Sequence, residues 1–100
     1  MENNKALRLI GLATKAGKVI TGIELCEKAV KANKAKLIIL TNETKDGTKE
    51  LFTGCDIKIV FVKSIEKLSK FTGKENRSVA VITDDSFADA ILKESEESKC

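Results

Sequence analysis

Apolar residues recur along this chain in two alternating rhythms, the three-and-four spacing of an amphipathic helix and short unbroken runs typical of buried strands. From Asn4 to about Ala16, Leu7, Ile10 and Ala13 share one face, and Gly17 follows as the left-handed residue that ends a helix. Lys18-Val19-Ile20-Thr21 reads as a short strand. A second helix opens at Gly22, with Ile23, Cys26, Ala29 and Val30 as an inward stripe and Glu24, Glu27, Lys28, Lys31 and Lys34 outside it. Between Lys36 and Thr41, Leu37 to Leu40 are consecutively apolar, the pattern of a strand covered on both faces and therefore of the sheet's middle.

Thr44 to Thr53 reads as a helix anchored by Leu51 and Phe52, its first turn weakened by Gly47. Lys58 to Val62 is a further strand. Ser64 is placed to cap a helix carrying Ile65, Leu68 and Phe71 inward and closed by Gly73. Ser78 to Thr83 is the last strand, after which Asp84 or Asp85 caps a final helix with Phe87, Ala88, Ile91 and Leu92 on its core side. The polar residues after Lys93 are expected to fray, leaving 94–100 as a tail. This order predicts an α/β fold, a three-layer α-β-α sandwich around a central mixed sheet of about four strands, the short first strand being the one free to run against the rest. Right-handed crossovers distribute helices over both faces.

Length and composition narrow the class. One hundred residues without a Pro-rich or Ser-rich linker make a single domain, 1–100. With 42% apolar and 33% charged residues, the chain fits a globular protein and not a disordered or membrane one. No apolar run approaches the roughly 18 residues that span a bilayer, and Met1-Glu2-Asn3-Asn4 lacks the order of a secretory signal, so no membrane partner and a cytoplasmic location are expected. Cys26, Cys55 and Cys100 are odd in number and widely spaced, with no histidine to complete a metal site; Cys26 and Cys55 read as core or near-core and Cys100 as a terminal thiol.

Charge is unevenly placed. The first fifty residues hold ten Lys or Arg against six Asp or Glu, the second fifty eight against nine. Between Lys15 and Lys36 six lysines face only Glu24 and Glu27, enough for a local field that gathers phosphates, although a solvated helix face accounts for the same run.

Enzymatic chemistry finds few candidates. Without histidine, acid-base work falls to carboxylates or lysines. Gly11 to Val19 resembles a phosphate-binding loop only superficially: one residue too many separates the glycines, Val19 stands where a hydroxyl is needed, and the segment ends a helix instead of starting one. Asp84-Asp85 at a strand end is the pair that a magnesium-dependent receiver domain would use; the competing reading has one aspartate as helix cap and the other complementing the dipole. Gly22 allows close backbone approach at a helix start whose amides favour phosphate, Lys28 and Lys31 follow, and the loop Gly73-Lys74-Glu75-Asn76-Arg77 offers further donors. With four Phe, all readable as core, and no Trp or Tyr, the chain points to the shape of a folded RNA and not to base stacking on a single strand.

The run Gly17-Lys18-Val19-Ile20-Thr21-Gly22, then Lys28-Ala29-Val30 and Lys34-Ala35-Lys36-Leu37-Ile38-Ile39-Leu40, resembles the bacterial YlxQ branch of the L7Ae/L30e ribosomal protein family. The similarity continues through Leu68, Gly73 and Ser78 to Asp84, so it covers nearly the whole chain. The resemblance implies an α-β-α sandwich that binds kink-turn RNA, a sharply bent duplex with tandem sheared G·A pairs, without cofactor or covalent chemistry. In that family a Gly and a Lys bracket the contact motif at the start of the second helix, and Gly22 and Lys28 match those ends. Glu24 and Leu25 depart from its middle: Glu24 can accept from a guanine edge, while Leu25 offers no polar readout. The expected RNA-binding set is Lys18, Gly22, Glu24, Lys28, Lys31, Lys74, Asn76 and Arg77. Expected partners are a structured RNA, ribosomal or otherwise kink-turn-containing, and the ribosome or translation factors, with the chain itself a monomer. The alternatives are a protein-interaction module that has lost specific RNA recognition, and the receiver-like domain.

Overall fold

The computed structural model describes residues 4–54, 56–62, 73 and 78–97. Helix α1, Asn4–Lys15, buries Ala6, Leu7, Ile10 and Ala13. It ends as Gly17 turns left-handed at φ 75°. The Gly17 amide then reaches the Thr14 carbonyl at 3.1 Å and the Lys18 amide the Ala13 carbonyl at 2.9 Å, satisfying carbonyls that a helix end otherwise leaves open. Strand β1, Val19–Thr21, leads through Gly22 into α2, Ile23–Lys31. That helix stops the same way at Asn33, φ 59°, asparagine being the side chain that tolerates this conformation best after glycine.

Strand β2, Leu37–Thr41, is buried at every position, α3 spans Asp46–Thr53 and β3 spans Ile59–Val62. Strand β4, Val79–Ile82, precedes the last helix, α4, Asp85–Glu97. The four strands lie in the order β1-β4-β2-β3. β2 and β3 pair in parallel, whereas β4 runs antiparallel to both of its neighbours, with Val19 opposite Ile82 and Ile39 opposite Ala80. The sheet is therefore mixed, as expected, but the reversed strand is the last and not the first. Periodicity alone cannot disclose this, because a strand apolar on both faces reads the same in either direction.

Alternation along β2 divides the core. Leu37 and Ile39, with Val60, Val62, Ala80 and Ile82, pack on α1 and α4 through Leu7, Ile10, Ala88 and Ile91. Ile38 and Leu40, with Val79 and Val81, pack on α2 and α3 through Cys26, Ala29 and Phe52. Each buried aliphatic side chain contributes about 1.5–3 kcal/mol, so a one-residue slip in register, which exchanges the two faces, is strongly disfavoured. The result is an α-β-α sandwich.

Several local expectations give way to packing. Thr44 lies before α3, buried, because its hydroxyl finds backbone partners that compete with helix formation. Ile23, Leu51 and Phe61 are exposed: Ile23 and Leu51 sit at the margins of their helices' inward faces, and Phe61 is on edge strand β3, where the Lys49 ammonium lies 5.8 Å from its ring centroid. Polar residues beyond Lys93 continue α4 to Glu97, glutamate being a good helix former. The helix expected from Ser64 to Phe71 and the thiols Cys55 and Cys100 lie outside the described residues.

Candidate functional site

The start of α2 is held by its neighbours and not by a side-chain cap. Gly22 adopts φ 95°, ψ 140°, a conformation that L side chains rarely take, and no side chain caps the helix. Its amide donates to the Val79 carbonyl at 3.3 Å, and its carbonyl accepts from the Cys26 amide at 2.9 Å. The buried Cys26 thiol donates to the Ile20 carbonyl at 3.3 Å, tying the first turn to β1. With Thr21 opposite Ala80, the helix start sits where β1 finishes and β4 begins.

A buried hydroxyl pair secures the same end of the sheet. The Thr44 hydroxyl donates to the Ser78 carbonyl at 3.0 Å, accepts from the Thr41 amide at 3.2 Å and lies 3.0 Å from the Thr41 hydroxyl. The end of β2 is thereby locked to the residue that leads into β4. Sequence reasoning missed this clasp; the available signal was two threonines flanking the turn that follows a strand buried throughout.

The expected site residues divide between the two ends of the sheet. Gly22 and the exposed Glu24 lie at the helix start, and the exposed Lys28 follows about one and a half turns on. Lys18 lies at the other end of β1, where its carbonyl accepts from the Thr83 amide at 2.9 Å and the Thr83 hydroxyl at 3.1 Å. Four strand residues, about 13 Å, separate it from Gly22. Helix α2 runs back along β1, so Lys31 in its last turn also belongs to the far end. Lys74, Asn76 and Arg77 fall outside the described residues; the chain is next described at Ser78, beside the helix start. Around Gly22 the described surface is thus less basic than the sequence suggested. It presents Glu24 together with Leu25, 57% exposed, and Ile23, 38% exposed.

The aspartate pair is committed elsewhere. Asp84 Oδ2 accepts from the Phe87 amide at 3.0 Å, capping α4, and Asp85 lies 4.0 Å from the Lys36 ammonium. Among the described residues no group of three or more His, Cys, Asp or Glu gathers as a metal site would require. None of the described helices is long and apolar enough to cross a membrane.

Residues 4–93 match the family described as Ribosomal protein L7Ae/L30e/S12e/Gadd45. The chain belongs to this family. Within it, the RNA-binding protein YlxQ of Bacillus subtilis (strain 168) is 35% identical over 88 residues, covering 84% of this chain and 88% of that protein. The protein of the same name from Enterococcus faecium is 46% identical over 46 residues, 46% of this chain and 45% of its own. Among solved structures, a protein with unknown function from Bacillus halodurans C superposes with a TM-score of 0.86 at 28% identity, covering 94% of this chain and 99% of that one. The Giardia lamblia 15.5kD RNA binding protein superposes with a TM-score of 0.74 over 99% of this chain and 92% of its own; at 17% identity this likeness concerns the L7Ae-type fold alone.

Proposed function

We propose that this chain is a non-catalytic RNA-binding protein that recognises a folded, kink-turn-like RNA with the start of α2 and the residues that precede β4 in sequence. The names borne by the YlxQ relatives support RNA as the ligand. One observation carries the reading furthest: the first turn of α2 has no side-chain cap, and the Gly22 amide is bonded to the first residue of β4. Uncapped first-turn amides and the positive end of the helix dipole favour phosphate oxygens, and a residue without Cβ lets a nucleic-acid backbone come close. Glu24 accepts from a guanine edge exposed in a sheared pair, and Lys28 neutralises phosphate along the helix. Lys74, Asn76 and Arg77, close in sequence to Ser78, extend the grip. In this reading the protein works as a monomer in the cytoplasm, in association with the ribosome or with RNA maturation, and its action is to hold a bent RNA without changing a covalent bond.

Titrating the protein with a kink-turn RNA and with a copy lacking the G·A pairs tests this. The wild type should prefer the intact RNA, and Lys28→Glu should weaken binding and lower the slope of log K against log salt by about one. Equal, weak binding to both RNAs refutes the proposal. That outcome favours a second reading, supported by the exposed Ile23 and Leu25 beside Glu24: a surface that docks a protein and has lost RNA specificity.

A further inference from the structure

Two helices of this chain end on the same four-residue pattern. α1 closes on Lys15-Ala16-Gly17-Lys18 and α2 on Lys31-Ala32-Asn33-Lys34. In each the third residue is left-handed, at φ 75° and φ 59°, and the fourth donates its amide back into the helix, Lys18 to Ala13 and Lys34 to Ala29, both at 2.9 Å. The lysines therefore occupy equivalent places, one on the last helical residue and one just past the turn, and all four are exposed. Offsetting a helix dipole accounts for Lys15 and Lys31, which lie in the last turn, but leaves Lys18 and Lys34 unexplained.

Both turns flank the finish of β4. The Lys18 carbonyl accepts from Thr83 and the Lys36 amide donates to Ile82, while α1 and α2 cover opposite faces of the sheet. The backbone at Lys18 and at Lys36 is separated by two strand spacings, about 10 Å. Carboxylates at this end are already engaged, Asp84 in the α4 cap and Asp85 with Lys36. Asp56 and Asp89 line a shallow depression together with Lys36 and Lys58, on the β3 side. Glu27, four residues before Lys31 on α2, offsets it in part. Among the described residues, Lys15, Lys18, Lys31 and Lys34 make no ion pair.

We propose that these twin turns form a second, sequence-independent contact for the phosphate backbone of an RNA duplex, at the end of the sheet opposite the start of α2. The inference rests on the RNA-binding reading above and extends it to the stem next to the recognised bend. Helix α2 spans about 13 Å between the two ends, and a duplex carries one phosphate charge per roughly 1.7 Å of axis. A stem continuing past the bend thus brings several phosphates within a Debye length, about 10 Å, of the four ammonium groups.

The test uses the full chain and its variant Lys15→Gln/Lys18→Gln/Lys31→Gln/Lys34→Gln, with thermal melting as a folding control. Each is titrated over a range of salt with a kink-turn RNA bearing a long stem, the same RNA with that stem cut short, and the long-stem RNA without its G·A pairs. The variant should lose about two to four units of salt slope, at roughly 0.9 per phosphate contact, and at least tenfold affinity for the long-stem RNA. It should keep the wild type's preference for intact G·A pairs, and shortening the stem should weaken the wild type far more than the variant. An unchanged salt slope overturns the second contact, while the reading of the α2 start survives if discrimination persists. The converse result, a reduced slope in a protein that ignores the G·A pairs, supports the lysine surface and removes the specific site. Tighter wild-type binding to anionic phospholipid vesicles than to long-stem RNA would also overturn the proposal, reassigning the surface to a lipid headgroup.

Discussion

Replacing Thr44 by valine is the sharpest probe of how the candidate site is held. The substitution keeps shape and volume but deletes a hydroxyl that donates to the Ser78 carbonyl and sits 3.0 Å from the Thr41 hydroxyl. Losing two hydrogen bonds costs about 1 kcal/mol each. The Thr41 side chain, 0% exposed, is left with an unpaired hydroxyl, a further cost of about 1–3 kcal/mol. The backbone partially compensates, because the Thr41 amide retains its 3.2 Å bond to Ser78, and the new methyl returns about 0.8 kcal/mol. The net expectation is a loss of about 2–4 kcal/mol, which at about 4–8 °C per kcal/mol for a domain of this size lowers Tm by roughly 10–30 °C. Urea unfolding followed by circular dichroism measures it, with Thr41→Val and the double variant completing a cycle. Removing both hydroxyls leaves no orphan, so the double variant should be about 1–2 kcal/mol more stable than the sum of the single changes predicts. A loss under about 0.5 kcal/mol for Thr44→Val, or strict additivity, would refute the clasp.

Two further substitutions address other parts of the frame. Asp84→Ala should cost about 1 kcal/mol by removing the cap of α4, read as a lower urea midpoint with unchanged slope, while Asp84→Asn, which can still accept from the Phe87 amide, should cost a few tenths. Gly22→Ala forces a Cβ into φ 95° and should destabilise by about 1–3 kcal/mol, with a loss of RNA affinity that persists at temperatures where the variant is fully folded; full affinity there would separate the glycine from the interface.

Residues whose burial follows directly from periodicity were legible in the sequence. Leu37 to Leu40 announced a central strand, Gly17 the end of α1, and Leu7, Ile10 and Ala13 the face that packs on the sheet. The direction of β4 was not legible, since apolar runs are symmetric, nor was the exposure of Ile23, Leu51 and Phe61, which depends on how far each neighbouring layer extends over the sheet. Gly22 as the opening of α2 was legible, whereas the layout of the lysines around it was not. Gly22 and the first residue of β4 do meet, through the bond to Val79, but the lysines that seemed to surround that point are sorted toward both ends because α2 doubles back along a strand of three residues. A linear count of charge contains no information about that reversal.

The placement of β4 bears on how the molecule is made. β4, made after the other described strands, lies between β1 and β2, and it is the hydrogen-bonded neighbour that joins β1 to the rest of the sheet. A nascent chain that has emerged only as far as Val62 has β2 and β3 available to pair while β1 waits for its mate, some sixty residues downstream. Such long-range closure slows acquisition of the native state and leaves apolar edges open to chaperones or to sticking until β4 is released. The platform for any ligand at Gly22 thus comes into being only once β4 has been made and has inserted between β1 and β2.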